Sequence, residues 1–202
     1  MIVVAIETQV EAAVASRALE TALAGLRRAG SAPTGHHQSR FFQAQDDPSR
    51  FLYLGTWESR EAYEEVFGAR QRTEIERGLA QPVVPRYFRS LVTFERVLTP
   101  MEVLVCQVVE GPAEGEATVR SYMLDLFERR RGARPGVVLS TFCQEIDQPG
   151  NFLLVTGWQT AEALMSATVA FGDEFAARVA EAGATYRRFV GQTRFDSTLA
   201  AP

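Results

Sequence analysis

Few residue types in this 202-residue chain bring their own chemistry. His36 and His37 are its two histidines and sit side by side in a strand-like stretch. Imidazole titrates near neutrality, so either ring could accept a proton. Adjacent positions on a strand point to opposite faces, so one ring can line an enclosed space while the other sits at an exposed edge. Cys106 and Cys143 also fall in strand-like stretches, and read as small buried hydrophobes rather than a disulfide or metal pair. All 21 basic residues are arginine. The run Arg129-Arg130-Arg131, with Arg134 nearby, could hold a phosphate, but it also stands where a helix should end, and cations there complement the helix dipole. No spacing of ligands marks a metal site, and no motif marks a flavin.

The formal charge of −4 and a sequence pI of about 5.4 argue against a nucleic-acid binder, which needs a basic face. Hydrophobic residues make up 46% of the chain and charged residues 23%, the balance of a globular protein with a sizeable core. No apolar run approaches the length of a membrane span. MIVVAIET enters a strand pattern directly, so a cytoplasmic protein is expected.

The elements that must position these residues occur twice. DDPSRFLYLGTW at 46–57 reappears as DQPGNFLLVTGW at 147–158, an offset of 101 residues. The same offset pairs Gly35 with Gly136, Ser39 with Ser140, Gln43 with Gln144, Trp57 with Trp158 and Arg77 with Arg178. One register from end to end marks a tandem duplication. The spacing predicts units at 1–98 and 99–202, joined near Leu98-Thr99-Pro100-Met101.

Each unit predicts the order β-α-β-β-α-β. Valine-rich runs at 2–8 and 103–109 read as strands. In the first helix of the second half, Val119, Tyr122, Met123, Leu126 and Phe127 form an apolar stripe; Val10, Val14, Ala18, Ala22 and Leu26 form a weaker one in the first half. A hairpin follows, strand 36–45 to strand 51–57, with Asp46 and Asp147 expected to cap its turn. Ser59 and Thr160 read as helix N-caps. A further helix is predicted near 69–80, then a strand over 86–96 with Phe88, Val92 and Phe94 on one face.

This is the ferredoxin-like α+β pattern, an antiparallel sheet with helices on one side. Apolar residues on both faces would leave the helix-free side in water, at about 25 cal/mol per Å². Two units remove that cost by placing bare faces together, as an intramolecular dimeric α/β barrel. Site residues are expected in the interior so formed.

The stretches Asp46 to Ala62 and Asp147 to Ala163, with their shared Asp, Pro, Phe, Trp, Ser/Thr, Glu and Ala, resemble the antibiotic-biosynthesis-monooxygenase family of dimeric α/β barrels. The resemblance covers the chain as two fused copies. Haem-degrading members carry an Asn, Trp and His triad that this chain lacks. Cofactor-independent oxygenases of the family use a pocket of Asn, Trp, Tyr and Arg. Trp57, Tyr63 and Arg77 look like its Trp, Tyr and Arg; Tyr53 stands on the strand where an Asn would be sought.

The resemblance therefore implies a cofactor-independent monooxygenase acting on a small aromatic or polyketide-like substrate. Arg77 would hold the substrate anion, His36 or His37 would accept its proton, and Tyr63 would complete the catalytic set. Trp57, Tyr53 and Gln43, with Trp158, Arg178 and Gln144 in the second unit, would contact substrate. Leu154 and Leu164 replace Tyr53 and Tyr63 there, so the first unit is the better candidate. The alternative is a non-catalytic barrel binding a small hydrophobic or aromatic molecule, or one with a filled interior. Neither reading calls for a metal or cofactor; a homodimer of the fused chain stays open.

Overall fold

The structure is a computed structural model, and it describes residues 1–29, 35–67, 84–96, 99–130, 135–167 and 172–198. It is α+β. The strands are β1 (Ile2–Gln9), β2 (His36–Ala44), β3 (Arg50–Trp57), β4 (Arg86–Glu95), β5 (Val103–Glu110), β6 (Val137–Glu145), β7 (Phe152–Trp158) and β8 (Thr185–Asp196). Among the described residues the α-helices are α1 (Ala15–Ala29), α2 (Arg60–Val66), α3 (Glu116–Arg130), α4 (Ala161–Ala167) and α5 (Gly172–Glu181). The helix expected near 69–80, Arg77 within it, and Arg131 and Arg134 lie outside the described residues. The strands pair antiparallel, β1 and β2 with β3, β2 with β8, β4 with β6, and β5 and β6 with β7. The strand order β1-β3-β2-β8-β5-β7-β6-β4 closes as a barrel.

Two compact units divide the chain: Met1–Tyr87 with Gly191–Pro202, and Phe88–Val190. The division falls inside β4 and β8. From Phe88 onward β4 pairs with β6, whereas the end of β8 pairs with β2, Arg40 opposite Asp196 and Phe41 opposite Phe195.

In the first unit β3 runs between β1 and β2, with Ile2, Val4 and Ile6 opposite Trp57, Gly55 and Tyr53. This face carries the helices. Tyr53 and Trp57 share one buried cluster with Ala15 and Leu26 of α1 and Tyr63 of α2, against which Leu19, Leu23 and Phe67 pack. Val14 is 36% exposed, because α1 begins only at Ala15; the core-facing stripe is Ala15 and Leu26, buried, with Ala18, Leu19, Ala22 and Leu23 partly buried. On the opposite face Phe42, Leu52 and Leu54 are buried as well.

In the second unit the α3 stripe behaves as its spacing predicts: Val119, Met123, Leu126 and Phe127 are buried with Phe142, Phe152 and Phe175. On β4 a register shift between Ser90 and Val92 breaks the alternation. Phe88 therefore lies on the face opposite Val92 and Phe94, not beside them as even spacing implies.

The hairpin turn is held differently from expectation. Asp47, not Asp46, caps it, accepting from Ser49 N at 2.9 Å and Ser49 Oγ at 2.6 Å. Asp46 is exposed and lies 3.5 Å from Arg50. In both hairpins a glutamine donates to the proline carbonyl: Gln43 to Pro48 O at 2.7 Å and Gln144 to Pro149 O at 2.9 Å.

Candidate functional site

The site is built on the helix-covered face of the first unit, not on the helix-free face where sequence reasoning looked. Strand alternation places Tyr53, Gly55 and Trp57 of β3 on that face. Ser39 of β2 stands opposite Gly55, on the same face. Simple alternation would send His36 to the other side. A register shift between His36 and Gln38 inserts one extra residue and brings His36 opposite Trp57. His36 is half-buried and packs on Trp57, ring centroids 4.7 Å apart; His37 is exposed.

The α2 helix brings the third side. Ser59 caps it by accepting from Ala62 N at 3.2 Å, and Glu61 occupies its first turn. This sets Tyr63 edge-on to Trp57 at 5.5 Å, with Phe67 edge-on at 5.6 Å. Tyr63 stacks on Phe67 at 5.2 Å and meets Tyr87 at 6.0 Å. Such pairs contribute about 0.5–1.5 kcal/mol each beyond burial. The Arg60 guanidinium lies 4.2 Å from the Tyr87 ring centre and 3.0 Å from Glu64.

A chain of hydrogen bonds crosses the site. Tyr53 Oη lies 3.0 Å from Ser39 Oγ, and Ser39 Oγ lies 2.8 Å from His36 Nε2. Ser39 is fixed through its backbone, its N–H donating to Ser197 Oγ at 2.9 Å and its carbonyl accepting from Ser197 N at 3.0 Å. Burial pushes the Tyr53 phenol above its ordinary range, opposed by Ser39 and by the neighbouring indole N–H of Trp57. Burial lowers His36, opposed by its bond to the Gln38 backbone. Both therefore favour their neutral forms near pH 7.

Gly55 makes the corner possible. A Cβ there would overlap Tyr53 Oη and stand 2.7 Å from Trp57 Nε1. The phenol oxygen and the indole N–H thus meet above one glycine. The Trp57 N–H reaches Tyr53 as a weak hydrogen bond that opposes the rise of the phenol, but the contact lacks full hydrogen-bond geometry and Nε1 has no other partner.

The other sequence candidates stand elsewhere. Gln43 is a hairpin residue, bonded to Pro48 O and accepting from Arg194 Nε at 3.0 Å. Gln144 repeats that role, also donating to Glu116 Oε1 at 3.0 Å. Arg178 is exposed and pairs with Glu181 at 2.8 Å. Trp158 is buried among Val105 and Val137, with Leu164 packed against them. Its Nε1 is likewise unpaired, so an orphan indole alone does not distinguish the first unit. His36, Tyr53 and Tyr63 do, since Val137, Leu154 and Leu164 stand at their repeat positions. Ser39, Gly55, Phe67 and Tyr87 join the site without having been singled out for it. The departure of Gly55 from the repeat, where Thr156 stands, was the available signal.

Residues 1–75 match the family model described as antibiotic biosynthesis monooxygenase. No curated protein matches the sequence. Among solved structures, a candidate monooxygenase from Lactobacillus acidophilus superposes with a TM-score of 0.72 at 11% identity, over 98% of this chain and 96% of its own. A candidate monooxygenase from Fusobacterium nucleatum gives 0.76 at 8% identity, over 96% and 93%. An anthrone oxidase-like protein gives 0.72 at 12% identity, over 96% and 92%. A haem-degrading enzyme from Listeria monocytogenes shares the fold at 0.53 and 10% identity, over 94% and 98%, so the fold alone does not name a reaction. Residues 1–75 thus match the antibiotic biosynthesis monooxygenase family model, and the whole chain is similar in its α+β fold to structures named as monooxygenases or anthrone oxidase-like.

Proposed function

We propose that the first unit is a cofactor-independent monooxygenase site for a small hydroxylated aromatic substrate of the anthrone or hydroquinone class. The observation that carries this reading is the corner above Gly55. There Tyr53 Oη and an unpaired Trp57 N–H converge beside the rings of Tyr63 and Phe67. An unsatisfied buried donor costs about 1–3 kcal/mol, and a ligand oxygen accepting from the indole would remove that cost. The aromatic rings would contact the substrate's faces. The name of one structural relative, an anthrone oxidase-like protein, agrees with this substrate class.

The reaction needs only the substrate and dioxygen. The substrate reacts as its enol tautomer, in which one methylene hydrogen has moved to the ring oxygen; loss of that phenolic proton gives an anion that can pass an electron to dioxygen, which a neutral closed-shell phenol does slowly. Recombination forms a C–O bond and a peroxide at the ring methylene. Cleavage of its O–O bond, with loss of the second methylene hydrogen as a proton, leaves a ketone and hydroxide. The hydroxide takes up a proton as water, so R2CH2 and O2 become R2CO and H2O. The protein supplies a dry site and a proton acceptor. Arg77 is assigned, by resemblance, the role of holding the anion. The free thiols of Cys106 and Cys143 suit a cytoplasmic setting.

Oxygen uptake with 1,8-dihydroxyanthrone and a panel of hydroquinones tests this. We expect one O2 consumed per ketone formed, a fall of tenfold or more in Tyr53→Phe and Arg77→Ala, and little change in Arg178→Ala. Binding across the panel with no uptake would instead establish a non-catalytic ligand-binding protein.

A further inference from the structure

We propose that Tyr53, Ser39 and His36 form a proton relay, in which the substrate's phenolic proton enters at Tyr53 Oη and is stored on His36. This rests on the reading of the Gly55 corner as a ligand site and assigns its base.

The geometry carries it. Two consecutive contacts, 3.0 Å and 2.8 Å, join the three side chains without a gap. Both hydroxyls can donate and accept at once, which a relay requires. The Gln38 backbone bond favours a charged His36 ring, as donation to a carbonyl does. That leaves Nε2 as the acceptor of the neutral ring, so the chain runs Tyr53 to Ser39 to His36. Its outer end, Tyr53 Oη, is the atom beside the orphan Trp57 N–H, where a ligand oxygen would bond both.

The step conserves protons. The substrate O–H bond breaks as a bond to Tyr53 Oη forms; Tyr53 passes its proton to Ser39, and Ser39 passes its own to His36 Nε2. Tyr53 and Ser39 end unchanged, the substrate is an anion, and His36 is an imidazolium. The reverse shift returns the proton to the hydroxide released at the end. The arrangement is confined to the first repeat, because Val137 and Leu154 stand at the positions of His36 and Tyr53. Among the described residues, His37 acts on His36 from its own strand, and the Glu58 carboxylate approaches the adjoining Gly35.

With two histidines in the chain, ring-15N histidine NMR reads His36 directly, without turnover. We expect anaerobic saturation with 1,8-dihydroxyanthrone to convert His36 from neutral to imidazolium in the wild type. Ser39→Ala and Tyr53→Phe should bind the anthrone and leave His36 neutral, and His37→Gln should behave as wild type. In aerobic assays Ser39→Ala should lower kcat with KM little changed. Anthrone binding that leaves wild-type His36 neutral overturns the relay, whatever the oxygen uptake. Protonation of His36 through Ser39 without any oxygen uptake upholds the relay and overturns the oxygenase reading. Equal protonation in wild type and Ser39→Ala overturns the relay.

Discussion

At the scale of single residues, glycine 55 decides whether the site can exist. Its missing side chain is the space that Tyr53 Oη occupies and that Trp57 Nε1 borders. Gly55→Ala should therefore push the phenol off Ser39, costing about 1–3 kcal/mol as an overpacked core position does. Gly25, inside α1, is surrounded by open space where a Cβ would stand, so Gly25→Ala should instead stabilise by about 0.5–1 kcal/mol. Urea unfolding of the two variants measures both signs; equal effects would contradict the assignment of Gly55. The family resemblance pointed to Trp57, Tyr53 and Tyr63 as candidates, and residue type pointed to His36. They did not show Gly55 or Ser39, whose roles come from what lies across the strand rather than along it.

Elements explain why strand alternation failed for β4 and could not say which histidine of β2 faces inward. A single extra residue near His36 and another near Leu91 reverse which side the chain presents, and neither leaves a mark in hydrophobic periodicity. The same limit applies to partners, since periodicity gives faces and not neighbours. Nothing in the repeat says that β8 closes against β2, yet the strands are joined there by a buried ion pair, Arg40 Nε to Asp196 Oδ2 at 2.9 Å. Asp196 also accepts from Thr198 N and Oγ1, so its charge is well compensated. Removing Arg40 leaves the buried Asp196 carboxylate without this counter-charge. Arg40→Met should cost about 3–5 kcal/mol, whereas Arg40→Met with Asp196→Leu should recover most of it. Thermal unfolding of the single and double variants checks this; a double variant as weak as the single would show that the pair contributes more than mutual compensation.

Across the whole molecule, the repeat is legible in the sequence, and both halves keep the same structural devices. Gly35 and Gly136 adopt positive φ of 89° and 80°, Ser59 and Thr160 cap corresponding helices, and Gln43 and Gln144 tie corresponding turns. These residues fix the fold twice. The proposed chemistry rests on residues present once, His36, Tyr53 and Tyr63, and the second half fills those positions with Val137, Leu154 and Leu164. The two tryptophans give each half its own reporter. Trp158→Phe leaves Trp57 as the sole indole, and Trp57→Phe leaves Trp158. Anaerobic titration of both variants with 1,8-dihydroxyanthrone, followed by tryptophan emission, measures which half takes the ligand. Saturable quenching in Trp158→Phe and none in Trp57→Phe is the expected result; equal quenching in the two, or quenching of Trp158 alone, would contradict a site built on the first unit.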